Sequence, residues 1–330
     1  MSNSETRKRP RLSDDAEDGE AGRVKNDEFW YEDGSITLVA EGVEFRVYKG
    51  VLANASPIFK DMFTLPEIPS SPDATNTVVL QDSADDVRRM LRLVLPRDCV
   101  HIAGPLEMWD ISAGIRLGHK YDIRTLVDHL TKRLGEYYTS SWTAWRSPSR
   151  EKVPSSFKGT AAIAVINIAR LTGANWLLPA AFLECCLLLP RELLAGFKRG
   201  DGTMERLSTE DLATCLEATP NLLETHAIAV GRLSAENDAC PNECGAPLRE
   251  LHEEPVHFIT HALDHPDITQ TMIGFYSAAS ENLCSECAER LQEMDLKIRQ
   301  ASFMLLPQVF GLAVDGWGSE TGKGEQLVDG

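Results

Sequence analysis

Residues 33–63 constrain the fold of this chain more than any other part of its sequence. Two short runs of alternating apolar residues are separated by Glu41-Gly42, a pair that favours a tight turn between strands. A short helical run follows, and a second helix is predicted to begin with Ser56 as its N-cap and Pro57 in its first position. Because almost every residue belongs to a strand, a turn or a helix, the segment predicts a compact module of mixed α and β structure.

Regularly spaced apolar residues extend this module to about residue 140. The β-branched run 77–80 predicts a third strand, and the apolar positions within 87–94 predict an amphipathic helix. Two further helices are predicted at 106–117 and 123–138. We therefore predict an α+β domain at residues 28–140.

The second half of the sequence is predominantly helical. A stretch rich in Ser and Pro at 141–157 is predicted to be a linker, and residues 158–312 are predicted to form an all-α domain. Its helices are expected at 161–171, 176–189, 209–216, 222–233 and 285–306, with Pro220 separating two of them and Pro307 stopping the last. Residues 313–330 are rich in Gly and acidic residues and are predicted to be a disordered tail, with Trp317 as an anchor against the domain.

The composition excludes several functional classes. The 330 residues carry a net charge of −17 at pH 7, which argues against binding nucleic acid through a large basic surface. No apolar run reaches the ~18 residues that a membrane span needs. The N-terminus lacks the apolar core of a secretory signal, so the eight cysteines are expected in a reducing compartment, as thiols or metal ligands. We expect an intracellular protein, in the nucleus, the cytoplasm or both.

Residues 1–27 are predicted to be a disordered tail with a basic cluster followed by an acidic run, because they contain few large apolar residues. The basic cluster is typical of a nuclear localisation signal, although a solvated charge block has the same composition. Its members are Arg7, Lys8, Arg9 and Arg11.

Two close pairs of cysteines in the C-terminal half have the spacing of metal ligands. Cys240 and Cys244 form one pair, and Cys284 and Cys287 form the other, about 40 residues later. Thiolates with two or three residues between them can share one zinc ion, and two such pairs complete a tetrahedral site. The alternative is a set of reduced core thiols, since cysteines are common in helical interiors. We therefore hold a structural zinc as a hypothesis.

The sequence contains no motif that anchors an enzymatic function. His257 and His261 are four residues apart, but Phe258 stands where a zinc metalloprotease needs a Glu directly after the first histidine. The usual explanation for such spacing is an exposed or capping histidine. The Gly-rich phosphate-binding motifs and the nucleophile motif of hydrolases are also absent from the sequence. We predict a non-enzymatic protein without a small-molecule substrate.

The positions that recur through the first module carry a family resemblance. They follow a pattern of the kind F-x-V-H-(K/R)-x-x-L-x-x-x-S-x-x-F-x-x-M-F, except that Tyr48 stands at the His position. Asp33 lies ahead of this pattern, before the hairpin. The matching residues are Phe45, Val47, Lys49, Leu52, Ser56, Phe59, Met62 and Phe63, and residues 118–123 match a later element. The segment resembles a BTB/POZ domain. With its basic cluster and acidic linker, the chain resembles BTB proteins of basidiomycete, mushroom-forming fungi.

The resemblance implies a three-stranded sheet with a cluster of helices, used for self-association or for docking onto a partner protein. It places Asp33, Val51 and Leu52 near a homodimer surface, so one hypothesis is a homo-oligomeric scaffold or nuclear regulator. Some members of the family bind a cullin-type ubiquitin ligase scaffold through a short element, which Leu65 and Glu67 would supply here. The alternative for these two residues is an ordinary loop, because three-residue motifs match by chance.

Overall fold

The computed structural model of the chain describes residues 22–64, 76–95, 106–235, 244, 267–269 and 283–319. The chain divides into two compact units. The first unit consists of Met1–Lys49 and Glu67–Ala84, and the second consists of Gly50–Pro66 and Asp85–Gly330. A small sheet with helices followed by a helical C-terminal region confirms the predicted α+β fold class.

The first unit holds four strands: β1 Val24–Trp30, β2 Ile36–Ala40, β3 Val43–Val47 and β4 Thr77–Val79. Helices up to the predicted linker are α1 Lys49–Ala55, α2 Pro57–Met62, α3 Ala84–Val94, α4 Met108–Lys120 and α5 Arg124–Leu134. Those that follow are α6 Trp142–Trp145, α7 Ala161–Thr172, α8 Leu178–Cys186, α9 Pro190–Ala195, α10 Thr209–Ala235 and α11 Ser285–Val309. A short hairpin of β5 Phe197–Lys198 and β6 Met204–Glu205 lies between α9 and α10.

The sheet of the first unit has the strand order β1-β3-β2-β4. Strands β2 and β3 form the predicted antiparallel hairpin, with Ala40 opposite Val43 across a two-residue turn. Glu41 and Gly42 both adopt positive φ angles, of 47° and 77°, which a tight hairpin turn between right-twisted strands requires. Strand β4 pairs with β2 in parallel orientation.

The sheet has one more strand than the sequence predicts. Strand β1 pairs in parallel with β3 and begins at Val24, inside the segment that we predicted to be a disordered tail. Phe29 is the one fully buried residue of β1. The side-chain oxygen of Asn26 accepts hydrogen bonds from the backbone amides of Glu28 and Phe29, at 3.1 and 3.0 Å, where the register of the strand shifts. The strand was missed because its pairing depends on backbone hydrogen bonds and not on an alternating apolar pattern.

In the second unit, two separated parts of the family pattern meet at Ser56. Its hydroxyl oxygen accepts a hydrogen bond from the amide of Phe59 at 2.9 Å and so caps α2, as predicted. The same hydroxyl donates to the backbone carbonyl of Tyr121, 65 residues later. The ring of Phe59 also stacks on Tyr121, with 4.4 Å between centroids. Ser56 therefore connects the start of α2 to the end of α4.

One continuous apolar core joins α4 and α5 to the C-terminal helices. The segment predicted to be a linker, 141–157, lies within the second unit and contributes Trp142, Trp145 and Phe157 to this core. The hydroxyl of the fully buried Tyr138 donates to the carbonyl of Phe157. The domain boundaries inferred from the sequence stay predictions, and residues 141–157 are packed structure.

Arg150 is the main polar contact of that segment. Its guanidinium lies 3.6 Å from the ring centroid of Trp145 and 4.1 Å from that of Tyr137. It also bonds the carboxylate of Glu184 on α8 at 2.6 Å and the carbonyl of Tyr137 at 2.9 Å. Burial raises the pKa of Glu184, so its charge in the core depends on Arg150.

Two prolines lie inside helices that the sequence predicts to end near them. Pro220 lies within the single helix α10, and Pro307 lies in the last turn of α11. A proline at 307 cannot donate to the carbonyl of Phe303, four residues earlier. The indole nitrogen of Trp317 donates to that carbonyl at 2.8 Å, and its ring stacks on Phe303. The predicted anchoring by Trp317 is confirmed, and the packed chain extends beyond the predicted tail boundary at residue 313.

Within the described residues, none of the helices combines the length and the apolar character that a membrane span requires.

We expect Arg150→Ala to lower the free energy of unfolding by roughly 3–5 kcal/mol, because it leaves the carboxylate of Glu184 buried without its counter-ion. Urea unfolding followed by circular dichroism measures the change. Arg146→Ala is the matched control, since Arg146 is exposed and its guanidinium lies 5.6 Å from the ring centroid of Trp142 without a buried counter-ion among the described residues; we expect a change within about 0.5 kcal/mol. Replacing both partners, as Arg150→Met with Glu184→Leu, should restore most of the loss. Equal losses in the single and double variants would contradict the assigned role.

Candidate functional site

Asp33 is exposed and lies just before strand β2 in the first unit; its position at a homodimer surface stays a prediction. Its carboxylate accepts a hydrogen bond from the hydroxyl of Tyr48 at 2.8 Å, and this bond raises the pKa of Tyr48. The ring of Tyr48 stacks on Tyr31 with 4.9 Å between centroids. The tyrosine that replaces the family's usual histidine therefore holds Asp33 in position and leaves two partly exposed aromatic rings beside it.

Val51 and Leu52, the other described residues of the predicted partner surface, lie on α1 in the second unit. Val51 is partly exposed, whereas Leu52 is fully buried. The side chain of Leu52 supports α1 from within, and any effect that it has on a partner surface is indirect. On the neighbouring helix α2, Ile58 has 40% of its surface exposed, an apolar position that sequence spacing did not single out.

Several residues singled out in the sequence lie outside the described part of the chain. They are the basic cluster Arg7, Lys8, Arg9 and Arg11; Leu65 and Glu67 of the cullin-type element; Cys240; and the histidines His257 and His261.

Three of the four predicted metal ligands come together in the second unit. The sulfur atoms of Cys244, Cys284 and Cys287 all lie within 4.8 Å of one another. Cys244 and Cys287 are each 2% exposed, and Cys284 is partly buried. The backbone amide of Cys284 donates to the sulfur of Cys244 at 3.3 Å, across 40 residues of sequence. Such a group of three thiols could bind a metal ion.

The other described cysteines have a different environment. Cys185 and Cys186 lie near the end of α8, and Cys215 lies on α10. The thiol of Cys186 is 3.6 Å from the carbonyl oxygen of Cys215. Hydrogen bonding to Cys215, together with burial, raises the pKa of Cys186. The thiols of Cys186 and Cys215 therefore interact with each other's residues inside the helical region, and they provide a comparison for the cysteine cluster.

A charged cluster that sequence analysis missed attaches the hairpin β5–β6 to α3 and α4. Asp86 on α3 forms ion pairs with Arg116 on α4 at 3.3 Å and with Arg199 of the hairpin at 3.6 Å. Arg199 also lies 3.7 Å from Glu205. The contact is close, because a side chain at Gly200 would come within 2.6 Å of an Asp85 oxygen. No sequence motif unites residues so far apart in the chain.

The environment of Asp86 changes its acidity. Burial, which outweighs the attraction of Arg199, raises the pKa of Asp86 to about 6 from its ordinary 3.8. The carboxylates of Asp201 and Asp85 also raise it, and Arg89 lowers it. Burial likewise raises the pKa of Glu205.

Residues 33–137 match the family model of the BTB/POZ domain. The match begins at Asp33, before the hairpin, and ends at Tyr137, beyond α5. It defines this part of the chain as a protein–protein interaction module. The module is a BTB/POZ domain, and such domains often form homodimers. A comparison with curated proteins found no match to the chain.

The raised pKa of Asp86 predicts that the stability difference between wild type and an Asp86→Asn variant depends on pH. Because the folded chain binds the Asp86 proton more tightly than the unfolded chain, the free energy of unfolding contributed by Asp86 falls as the pH rises from 3.8 to about 6 and is constant above that range. Asp86→Asn removes this titration. As the pH rises from 3.8 to about 6, the free energy of unfolding of the variant should therefore increase relative to that of the wild type. Urea unfolding at a series of pH values measures the difference. Asp128→Asn, at an exposed position of α5, is the control and should show no such trend. A pH-independent difference for Asp86→Asn would contradict the assignment.

Proposed function

We propose that this protein is a non-enzymatic interaction factor that self-associates through its BTB/POZ domain and acts as a homo-oligomeric scaffold or nuclear regulator. The observation that carries the proposal is the match of residues 33–137 to that domain. Its partners in this role are proteins, including a second copy of the chain, and it needs no small-molecule substrate, nucleic acid or membrane.

The buried charged side chains of the second unit form ion pairs with each other, which supports a structural role for them. Arg150 pairs with Glu184, and Asp86 pairs with Arg116 and Arg199. Each of these groups ties one element to another within the fold, which is a common role of buried ion pairs. The functional surface is then the outside of the BTB/POZ domain.

The described part of that surface offers recognisable contact residues. In the first unit, the stacked Tyr31 and Tyr48 lie beside the exposed Asp33. In the second unit, Val51 and Ile58 expose apolar side chains on α1 and α2. Aromatic and apolar side chains of this kind contribute most of the binding energy in protein interfaces.

Light scattering on the purified chain should give a dimer mass, twice the 36.5 kDa of one chain. We expect Val51→Glu and Asp33→Lys to shift the protein toward the monomer at the same concentration, because each puts an unfavourable charge at the proposed contact. Val24→Glu is the matched control, since Val24 is 63% exposed and was not assigned to the surface. Circular dichroism checks that each variant is folded. A wild-type monomer at micromolar concentration would overturn the proposed self-association.

An alternative function is that of a substrate-recruiting adaptor of a cullin-type ubiquitin ligase. It is favoured by Leu65-Pro66-Glu67, a hydrophobic-x-Glu element that follows α2 in the sequence, as in family members that bind a cullin. In this function the helical C-terminal region would hold the substrate.

Co-purification from cells decides between the two functions. If the chain is a cullin adaptor, a cullin co-purifies with it, and Glu67→Lys abolishes that association while Glu217→Lys, at an exposed position of α10, leaves it unchanged. A stable dimer without a cullin favours the scaffold. Proximity labelling in the native organism would then identify the partners.

We also propose that Arg7, Lys8, Arg9 and Arg11 direct the protein to the nucleus, and that it is otherwise cytoplasmic. The support is a compact basic cluster in a polar N-terminal segment, followed by an acidic run, an arrangement that also resembles the basidiomycete BTB proteins. A fluorescent fusion of the full chain should accumulate in nuclei, and replacing all four residues by Ala should abolish accumulation. Replacing the acidic residues Asp14 and Asp15 by Asn is the control. Equal distribution of all three fusions would refute the signal.

For the cysteine cluster we propose zinc as the metal. In a protein interaction factor this zinc ion would stabilise the fold and take no part in catalysis. It is therefore compatible with the proposal that the chain is not an enzyme.

A further inference from the structure

The structure assigns a structural zinc site to Cys244, Cys284 and Cys287, which joins the segment after α10 to the first turn of α11. The site lies in the helical C-terminal region, outside the matched BTB/POZ residues, and does not depend on self-association. Its occupant is a single divalent zinc ion bound by thiolates.

The spacing of the three sulfur atoms fits a shared ion. Zinc–sulfur bonds of ~2.3 Å in tetrahedral geometry separate neighbouring ligand sulfurs by roughly 3.8 Å. The three sulfurs here lie within 4.8 Å of one another, so an ion can reach all of them with small side-chain adjustments. None of the six described cysteines forms a disulfide. A disulfide would use only two of the three convergent thiols, whereas a metal uses all three.

The first turn of α11 supplies two of the three sulfur atoms. Cys284 is the N-cap of α11 and Cys287 is three residues further on, so one helical turn carries both. The amide of Cys284 donates to the sulfur of Cys244 at 3.3 Å, and this contact holds the third sulfur against the pair on α11.

Comparison with the other cysteines of the same unit separates a ligand set from ordinary core thiols. The thiol of Cys186 interacts with the carbonyl oxygen of Cys215, the partner of a protonated thiol. The sulfur of Cys244 instead accepts from the amide of Cys284, a residue of the same cluster. Burial of Cys244 and Cys287 would make two uncompensated thiolates costly, and a divalent ion provides the compensating charge.

Zinc is favoured over other metals by the ligand type. Thiolates alone select zinc, copper(I) or iron–sulfur clusters, and a closed thiolate set with a C-x-x-C pair is typical of structural zinc. A tetrahedral ion takes a fourth ligand, for which the sequence predicts Cys240, outside the described residues. The three described cysteines are the part of the site that the structure supports directly.

The consequence for the fold is a cross-link between distant parts of the chain. Cys244 and Cys284 are 40 residues apart, and α11 supplies Phe303 and Leu306 to the main core. A metal that fixes the start of α11 to Cys244 adds its binding free energy to the stability of the folded state.

Metal analysis of the full chain, purified under reducing conditions without an affinity tag that binds metals, tests the inference. We expect about one zinc ion per chain by mass spectrometry of the elements. Cys287→Ser and Cys284→Ser should each lower zinc content by about tenfold or more, whereas Cys186→Ser, the matched control, should leave it unchanged. Cobalt(II) loaded in place of zinc should show the absorption of tetrahedral cobalt–thiolate coordination, and this absorption should be lost in Cys287→Ser.

A variant that fails to fold could lose zinc for an indirect reason, so the wild-type chain provides a second measurement. Removing the ion with a chelator should lower the thermal unfolding midpoint, and adding back zinc should restore it. Wild-type protein with less than about a tenth of an equivalent of zinc, and no change in the midpoint on adding zinc or chelator, would overturn the site. Copper or iron in place of zinc would overturn the assignment of the metal. Loss of dimerisation with zinc content intact would refute only the proposed function.

Discussion

A charged side chain or an unpaired backbone carbonyl that enters the apolar core of the second unit is costly without a partner there, and the polar contacts of the C-terminal half follow from this constraint. Arg150 meets it through the carboxylate of Glu184 and through the rings of Trp145 and Tyr137. The same requirement explains why the buried Asp295 pairs with Arg299 on α11, and why Trp317 donates to the carbonyl that Pro307 leaves without a helical donor. These polar contacts select one arrangement of helices that apolar packing alone would allow to vary.

The two ends of the chain differ in where their polar groups lie. In the BTB/POZ part, Tyr48 holds the exposed Asp33, and Val51 stays accessible while the adjacent Leu52 is buried. A difference of one residue on α1 therefore separates a partly exposed position from a buried one. In the helical region the buried charges of Arg150 and Glu184 connect different elements, and the cysteine cluster is also largely buried.

Much of the fold could be predicted because its signals are local. The Glu41-Gly42 turn, the Ser56 cap and the helical spacing of apolar residues each depend on neighbours within a few positions. Strand β1 was missed because its residues alternate weakly and its hydrogen bonds come from β3. The sequence predicts two helices separated by Pro220. The structure has the single helix α10, in which the proline is tolerated. Of the candidate site, spacing identified the cysteine pairs, but nothing in the spacing predicted the charged cluster of Asp86, Arg116 and Arg199.

The sequence by itself determined the α+β class, the BTB/POZ pattern and the pairing of cysteines at short spacing, because each is written in residues that are close together in the chain. Only the tertiary structure decided that Ser56 contacts Tyr121, that residues 141–157 are packed into a core, and that Cys244 meets Cys284 and Cys287. These contacts join residues separated by tens of positions. Their partners are chosen by how the apolar faces of whole helices and strands pack, and no local pattern contains that information.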